Sequence, residues 1–190
     1  MAISEALSST SVSLTASTDT VITGMTITPG AGDYLAVFSA KFSAVDSVAG
    51  TLVVSIYVNA VQVASTERLF TNEDSFDIEG TYTTVVHSRV TPTAGQIVDV
   101  RYRKTGSQTM TMTNRGLILF PKDGADFDEA ASSTTTTTTS AAYVVLNSMT
   151  ITPGAGDYLA VFTSDESANN ANATGNVAIH VNAAILQHTE

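Results

Sequence analysis

Fourteen consecutive residues of this chain occur twice. Met25 to Phe38 reads MTITPGAGDYLAVF, and Met149 to Phe162 repeats it letter for letter, 124 positions further on. The same offset sets Glu5-Ala6-Leu7-Ser8-Ser9-Thr10 against Glu129-Ala130-Ala131-Ser132-Ser133-Thr134. After one deletion, Ser55-Ile56-Tyr57-Val58-Asn59-Ala60 falls on Ala178-Ile179-His180-Val181-Asn182-Ala183, and Glu67 on Glu190. Solenoid repeats run about 20–50 residues, so a period this long describes whole domains in tandem. A unit of ~120 residues is large enough to bury its own core. The chain therefore reads as one whole unit followed by the front half of another. Near-copies of one domain suit an extended or polymeric object better than an enzyme with a single active site.

Within a unit the residues are strand formers. Val, Ile, Thr and Ser alternate in short runs broken by Gly, Pro, Asn and Asp, and β-branched side chains suit a pleated, half-buried surface. The runs are Val12–Leu14, Val21–Thr28, Asp33–Ala44, Thr51–Asn59, Val61–Arg68, Ile78–Val90, Gln96–Lys104 and Gln108–Phe120. Pro29-Gly30 is expected to make a type II turn, Asn59-Ala60 a tight hairpin, and Thr105-Gly106 the hinge before the last strand. Eight strands at this spacing predict a sandwich or barrel. No stretch carries apolar residues at i, i+3, i+4 and i+7, so little helix is expected. The expected core is Leu35, Val37, Ile56, Val58, Val98, Val100, Leu117 and Leu119.

The pattern resembles jelly rolls of the tumour-necrosis-factor-like type, which recur in viral and phage appendages and in surface fibres. Gly32-Asp33-Tyr34-Leu35-Ala36-Val37-Phe38, Ser55-Ile56-Tyr57-Val58-Asn59, Thr93-Ala94-Gly95-Gln96-Ile97-Val98-Asp99-Val100-Arg101-Tyr102 and Leu117-Ile118-Leu119-Phe120 carry the likeness, over about residues 20–121. From 141 onward only the front half of the fold is matched. The resemblance implies an all-β fold of tandem jelly-roll sandwiches, one complete and one half copy. It also implies a trimeric or polymeric structural or attachment protein without catalysis. The expected layout is an N-terminal arm at 1–10, a first jelly roll at 11–122, an acidic then Thr-rich linker at 123–140, and the front half of a second jelly roll at 141–190.

Charge narrows the partners. The formal net charge is −10, which disfavours wrapping nucleic acid or an anionic membrane. Residues 68–122 hold seven of the eight Lys and Arg, whereas residues 123–190 hold none. The basic part of the unit is thus the part the second copy lacks. No apolar run approaches the ~18–20 residues of a membrane span. The first residues carry neither the basic start nor the apolar stretch of a secretory signal. Cysteine is absent, so disulfides and thiolate metal sites do not arise.

No catalytic residue and no cofactor are expected. His87, His180 and His188 form no metal-ligand motif, and no G-x-S-x-G elbow is present. The one candidate cation site is the acidic run holding Glu73, Asp74, Asp77 and Glu79, since calcium draws six to eight oxygens from a flexible loop; a solvated acidic loop is the alternative. Asp99, Arg101 and Arg103 share one strand face opposite Tyr102, either as a patch for an acidic glycan or as a solvated charge ladder. Thr134, Thr135, Thr136, Thr137, Thr138 and Thr139 are candidates for O-glycans, and Asn172 in Asn-Ala-Thr for an N-glycan. The half copy would leave a sheet edge open, which native proteins seldom tolerate. Val177, Ile179, Val181 and Ile185 are therefore expected to pair with strands from further polypeptide or from another protomer.

The leading expectation is a non-catalytic, self-assembling structural subunit of an extracellular fibril or virion fibre, with strand complementation between protomers. Its partners are copies of itself, with glycans as candidate ligands. The rival is a carbohydrate-binding or attachment module. The absence of Trp disfavours it, because sugar sites usually expose aromatic rings.

Overall fold

The computed structural model of the chain describes residues 2–44, 50–72, 81–107, 110–122, 128, 130, 132, 134, 136–140, 142–156, 158, 160–164, 177–182 and 184–185. It divides into two compact units, Met1–Glu129 and Ala130–Glu190. Among the described residues there is no helix. The fold class is all-β, as the alternating pattern predicts.

Among the described residues the first unit holds ten strands: β1 (Ser4–Ser8), β2 (Val12–Leu14), β3 (Thr20–Ile27), β4 (Tyr34–Ala44), β5 (Gly50–Val58), β6 (Val61–Gln62), β7 (Arg68–Asn72), β8 (Thr81–Val90), β9 (Val98–Lys104) and β10 (Met110–Pro121). The first sheet runs β1-β10-β4-β8, with β2 also on β10; the second runs β3-β9-β5-β6, with β7 also on β5. Every pairing is antiparallel. Apart from the β5-to-β7 hairpin, each step from β3 to β10 changes sheet. This is the Greek-key winding of a jelly roll.

Between the sheets lies one core. Leu52, Val54 and Ile56 of β5, Val98 and Val100 of β9, Leu117 and Leu119 of β10, Met25 of β3 and Phe38 of β4 are all buried in it. Burying a side chain of this size is worth about 1.5–3 kcal/mol. Phe42 and Phe70 meet edge to face across the sheets with centroids 4.4 Å apart.

Four local expectations are corrected. Leu35 and Val37 do not face the core: they are half-buried on the outer side of the first sheet, while Tyr34, Ala36, Phe38, Ala40 and Phe42 point in. Strand β4 is long, and only this second set stays apolar along it; the first set continues into Ser39, Lys41 and Ser43, whose polar groups would be costly to bury. Gly30 has no left-handed backbone, so its turn is not type II; the positive φ falls instead on Gly24, at +81°, where β3 bulges between Val21 and Thr26. The strand expected over Val61–Arg68 pairs only at Val61–Gln62, then bows out and resumes as β7. Thr66, buried in that bow, replaces the lost ladder bonds: its Oγ1 accepts from Ile56 N at 3.2 Å and donates to Val63 O at 2.7 Å. Finally, within the segment read as an arm, Ser4–Ser8 forms an edge strand on β10, in register Ser4 with Leu119 through Ser8 with Arg115.

Among the described residues the second unit contains one hairpin, β11 (His180–Val181) with β12 (Ala184–Ile185). The described residues between 149 and 164 carry no strand.

Candidate functional site

The two outer faces of the first unit differ in kind. On the second sheet, the outer side of β5 and β9 carries an ordered set of charges. Arg101 donates from Nε and an Nη to both carboxylate oxygens of Asp99, at 2.8 and 3.2 Å. Arg103 donates to Asp19 at 2.9 Å and to Glu67 at 3.0 Å. Gln62 links Glu67 to Ser55. The Arg101 guanidinium lies 4.6 Å from the ring centroid of Tyr57, a cation–π contact. Tyr57 is buried beneath this layer. Its burial, with a hydrogen bond to the Asp19 carboxylate, pushes the phenol up to about 12. Arg103 in turn holds the Asp19 carboxyl below the ordinary range.

Asp99, Arg101 and Arg103 therefore do share a face opposite Tyr102, as period-2 alternation demands. Both arginines are already engaged by carboxylates of this chain. The face is a closed ladder of charge, and an acidic ligand would have to displace Asp99, Asp19 or Glu67. Asp19 and Glu67 come from distant segments, which is why sequence reasoning found the arginines without their partners.

The outer face of the first sheet turns polar at the row of Thr113, Lys41 and Thr83 and carries a mostly apolar patch on the other side of it. Its rows follow from the pairing: Leu7, Gly116, Ser39 and Val85; then Glu5, Ile118, Val37 and His87; then Phe120, Leu35 and Arg89. Leu7 is 62% exposed and lies over Gly116, where an added Cβ would come within 2.8 Å of Leu7 Cδ2. Leu35, Val37, Val85, Ile118 and Phe120 are half-buried. A shallow depression here is lined by Leu7, Ser39, Asn114 and Ile118. At one end Arg89 clamps Asp33 with two hydrogen bonds and holds that carboxyl below the ordinary range. Burial, aided by the charge of Arg68, holds the His87 imidazole below its usual value, so it is neutral at pH 7. Leu35 and Val37 are thus surface residues that sequence reasoning assigned to the interior. A strand whose first part is apolar on both faces and whose outward set then turns polar is the signal that could have marked them.

One buried charge serves the fold. Arg115 is 4% exposed and sits where β10 bulges between Thr113 and Gly116. It donates to Thr10 O and, twice, to Thr23 O in the β3 bulge. Three backbone irregularities are tied together by one guanidinium, whose charged form burial disfavours.

Among the described residues no group of three or more His, Asp or Glu is placed to hold a metal ion. The candidate cation run Glu73, Asp74, Asp77 and Glu79 lies outside the described residues, as do Asn172, Thr135 and His188. Thr134, Thr137, Thr138 and Thr139 are exposed and Thr136 is half-buried. Of the residues expected to pair in assembly, Val177 and Ile179 are half-buried, Val181 is exposed in β11, and Ile185 lies in β12. No helix among the described residues is long and apolar enough to cross a membrane.

No protein-family model matches this chain, and no curated protein sequence does. Among solved structures it is similar to Eiger TNF from S. frugiperda, at 13% identity and a TM-score of 0.45, over 70% of this chain and 98% of that one. The jelly-roll description stands on the strand order of the two sheets.

Proposed function

We propose that this protein is a non-catalytic structural subunit that assembles with copies of itself through the outer face of its first sheet. The surrounding object is an extracellular fibril or virion fibre, and residues 141–190 are completed by strands from outside that segment. The observation that carries the reading is the patch on the outer face of the first sheet, where the part of β4 nearest Tyr34 is apolar on both faces. An antiparallel sheet with one solvated side alternates apolar-in and polar-out. Here Leu7, Leu35, Val37, Val85, Ile118 and Phe120 occupy the side that water would otherwise cover. Contiguous apolar surface of this kind marks interaction sites. Among the described residues the second sheet, closed by its own ion pairs, gives the carbohydrate-binding alternative no open cation or exposed aromatic ring on its outer face.

Sedimentation of the full chain over a concentration range tests the proposal. The expected result is a reversible oligomer that Leu7→Glu converts to monomer, with the unfolding temperature of the first unit nearly unchanged because Leu7 is exposed. A chain that stays monomeric at every concentration sinks it. So does an oligomer indifferent to charge at Leu7 and at Ile118.

A further inference from the structure

The identical fourteen residues have two fates. In the first unit Tyr34 is 2% exposed and lies in β4; its counterpart Tyr158 is 53% exposed and lies outside any strand. Met25 and Ala36 are fully buried, whereas Met149 is half-buried and Ala160 exposed. Tyr143, Val144, Val145, Ile151 and Val181 are exposed as well. Nothing in the letters distinguishes the two stretches, so the difference lies in what surrounds them.

Local features of the first unit do recur in the second. Tyr34 Oη donates to Gly30 O at 3.2 Å, and Tyr158 Oη to Gly154 O at 2.8 Å. Gly24 has φ +81°, and Ser148, at the matching position, has φ +63°. Asn59 and Asn182 turn their hairpins at φ +48° and +50°. The two hairpins share one register: Tyr57 with Gln62 and Val58 with Val61 in the first, His180 with Ile185 and Val181 with Ala184 in the second. Even a longer contact has its parallel. Asp19 bonds Tyr57, and at the matching positions the Tyr143 and His180 rings meet edge to face 5.0 Å apart. Among its described residues the second unit thus repeats local structure of the first unit's front half without the ladders.

The missing ladders have identifiable partners. In the first unit β4 is held between β10 and β8, and β3 and β5 both pair with β9. All three partners come from residues 81–121. Each copy of these 190 residues carries two front halves and one such back half. Exchange of strands among copies of residues 1–190 therefore leaves one front half per copy uncovered. Residues 1–190 of a second copy do not by themselves meet that count.

We propose that residues 142–156, 158, 160–164 and 177–182 belong to an acceptor for a polypeptide with the pattern of β8, β9 and β10. That partner supplies three antiparallel strands, apolar on the inward face like Val98, Val100, Leu117 and Leu119, with arginines outward like Arg101 and Arg103. It pairs in the register by which β8–β10 hold β3–β5. A buried arginine at the place of Arg115 is part of the match, because Thr10 and Thr23, whose carbonyls it ties, correspond to Thr134 and Asn147. Charge agrees: residues 123–190 have no Lys or Arg, and 68–122 hold seven. Opposite charge of this kind steers assembly and suppresses wrong partners. This rests on the complementation part of the proposed function and names the partner; it is independent of association through the first sheet.

Hydrogen exchange read by mass spectrometry on the full chain tests it, since the residues flanking each copy distinguish the peptides covering 25–38 and 149–162. The probe is a polypeptide of residues 68–122, supplied separately and, in a second variant, joined after Glu190 so that weak affinity does not mask folding. Alone, the 149–162 peptide should exchange rapidly at every protein concentration while 25–38 is protected. With the probe, protection of 149–162 should rise at least about 100-fold, and Asp at the probe's Val100 and Leu117 should abolish the gain. Protection that instead rises with concentration of the unmodified chain keeps complementation but overturns the partner. No protection even in the joined variant overturns both.

Discussion

The repeat permits a controlled experiment in which one side chain is removed from the same local sequence in two tertiary settings. Phe38 is fully buried in the sandwich core; Phe162, its counterpart, is half-buried and outside that core. Deleting a buried phenyl ring forfeits its transfer energy and leaves a cavity, together about 3–5 kcal/mol. A domain of this size has only about 5–15 kcal/mol of net stability, so Phe38→Ala removes about a fifth of it or more. At about 3–5 °C per kcal/mol, the unfolding temperature of the first unit should fall by roughly 10–25 °C. With a urea slope of about 1.5 kcal/mol/M, the midpoint should drop by about 2–3 M at unchanged slope. Phe162→Ala should leave that transition in place, with any effect below about 1 kcal/mol. The assay is urea unfolding followed by far-ultraviolet circular dichroism, with calorimetry for the temperature. Equal effects of the two substitutions would show that both copies are packed alike, and refute the assignment of burial to non-local partners. The double variant adds a second check. Distant, independent sites add within about 0.5 kcal/mol. A double loss well beyond the sum would mean that Met149–Phe162 takes the place of Met25–Phe38 when Phe38 is cut back.

Three further outcomes are expected. Arg115→Ala strips the guanidinium from Thr10 O and Thr23 O and should cost about 2–4 kcal/mol by urea unfolding, given about 1.5–3 kcal/mol for a hydrogen bond to a charged group and an uncompensated burial penalty; a loss under about 1 kcal/mol would show that water serves those carbonyls as well. The Tyr57 phenol is raised from 10.0 to about 12 in the fold, so the stability it contributes is complete below pH 10 and is lost as pH rises through 12; ultraviolet titration should find one late phenol that vanishes in Tyr57→Phe, and an unchanged titration curve in that variant would refute the assignment. Purified natural assemblies should carry hexose on Thr134–Thr139 or Asn172; residues 123–190 hold no Lys or Arg, so trypsin leaves them on one peptide, and a clean unmodified mass for that peptide would end the glycan expectation.

Much of the charged face was legible and little of the apolar one. Period-2 alternation alone puts Asp99, Arg101 and Arg103 together, because a strand sends alternate residues to one side whatever its neighbours. That Arg103 meets Asp19 and Glu67, and that Arg101 covers Tyr57, depends on β9 lying between β3 and β5. No local rule supplies that order. The apolar face was hidden for a related reason. Leu35 and Val37 look like core when Asp33–Phe38 is read alone, and only the continuation to Phe42 shows that the opposite set is apolar for longer. Leu7 escaped notice because a strand of five residues starting at Ser4 has too few alternations to stand out, and its pairing with β10 joins residues more than a hundred positions apart.

The sequence by itself determined the strand chemistry, the absence of helix among the described residues, the hairpin at Asn59 and its twin at Asn182, and the Tyr34–Gly30 turn with its twin at Tyr158. These are the features both copies share, because each is closed by atoms within a few residues. Tertiary structure decided which face of β4 went inward, where Arg115 was buried, and above all whether Met-Thr-Ile-Thr-Pro-Gly-Ala-Gly-Asp-Tyr-Leu-Ala-Val-Phe became parts of two strands or, among the described residues, of none. A strand's hydrogen bonds run to other strands, and in a jelly roll those partners lie tens of residues away. Where β8, β9 and β10 are at hand, the fourteen residues are part of a sandwich; in the second copy its described residues keep the turn without the sheet.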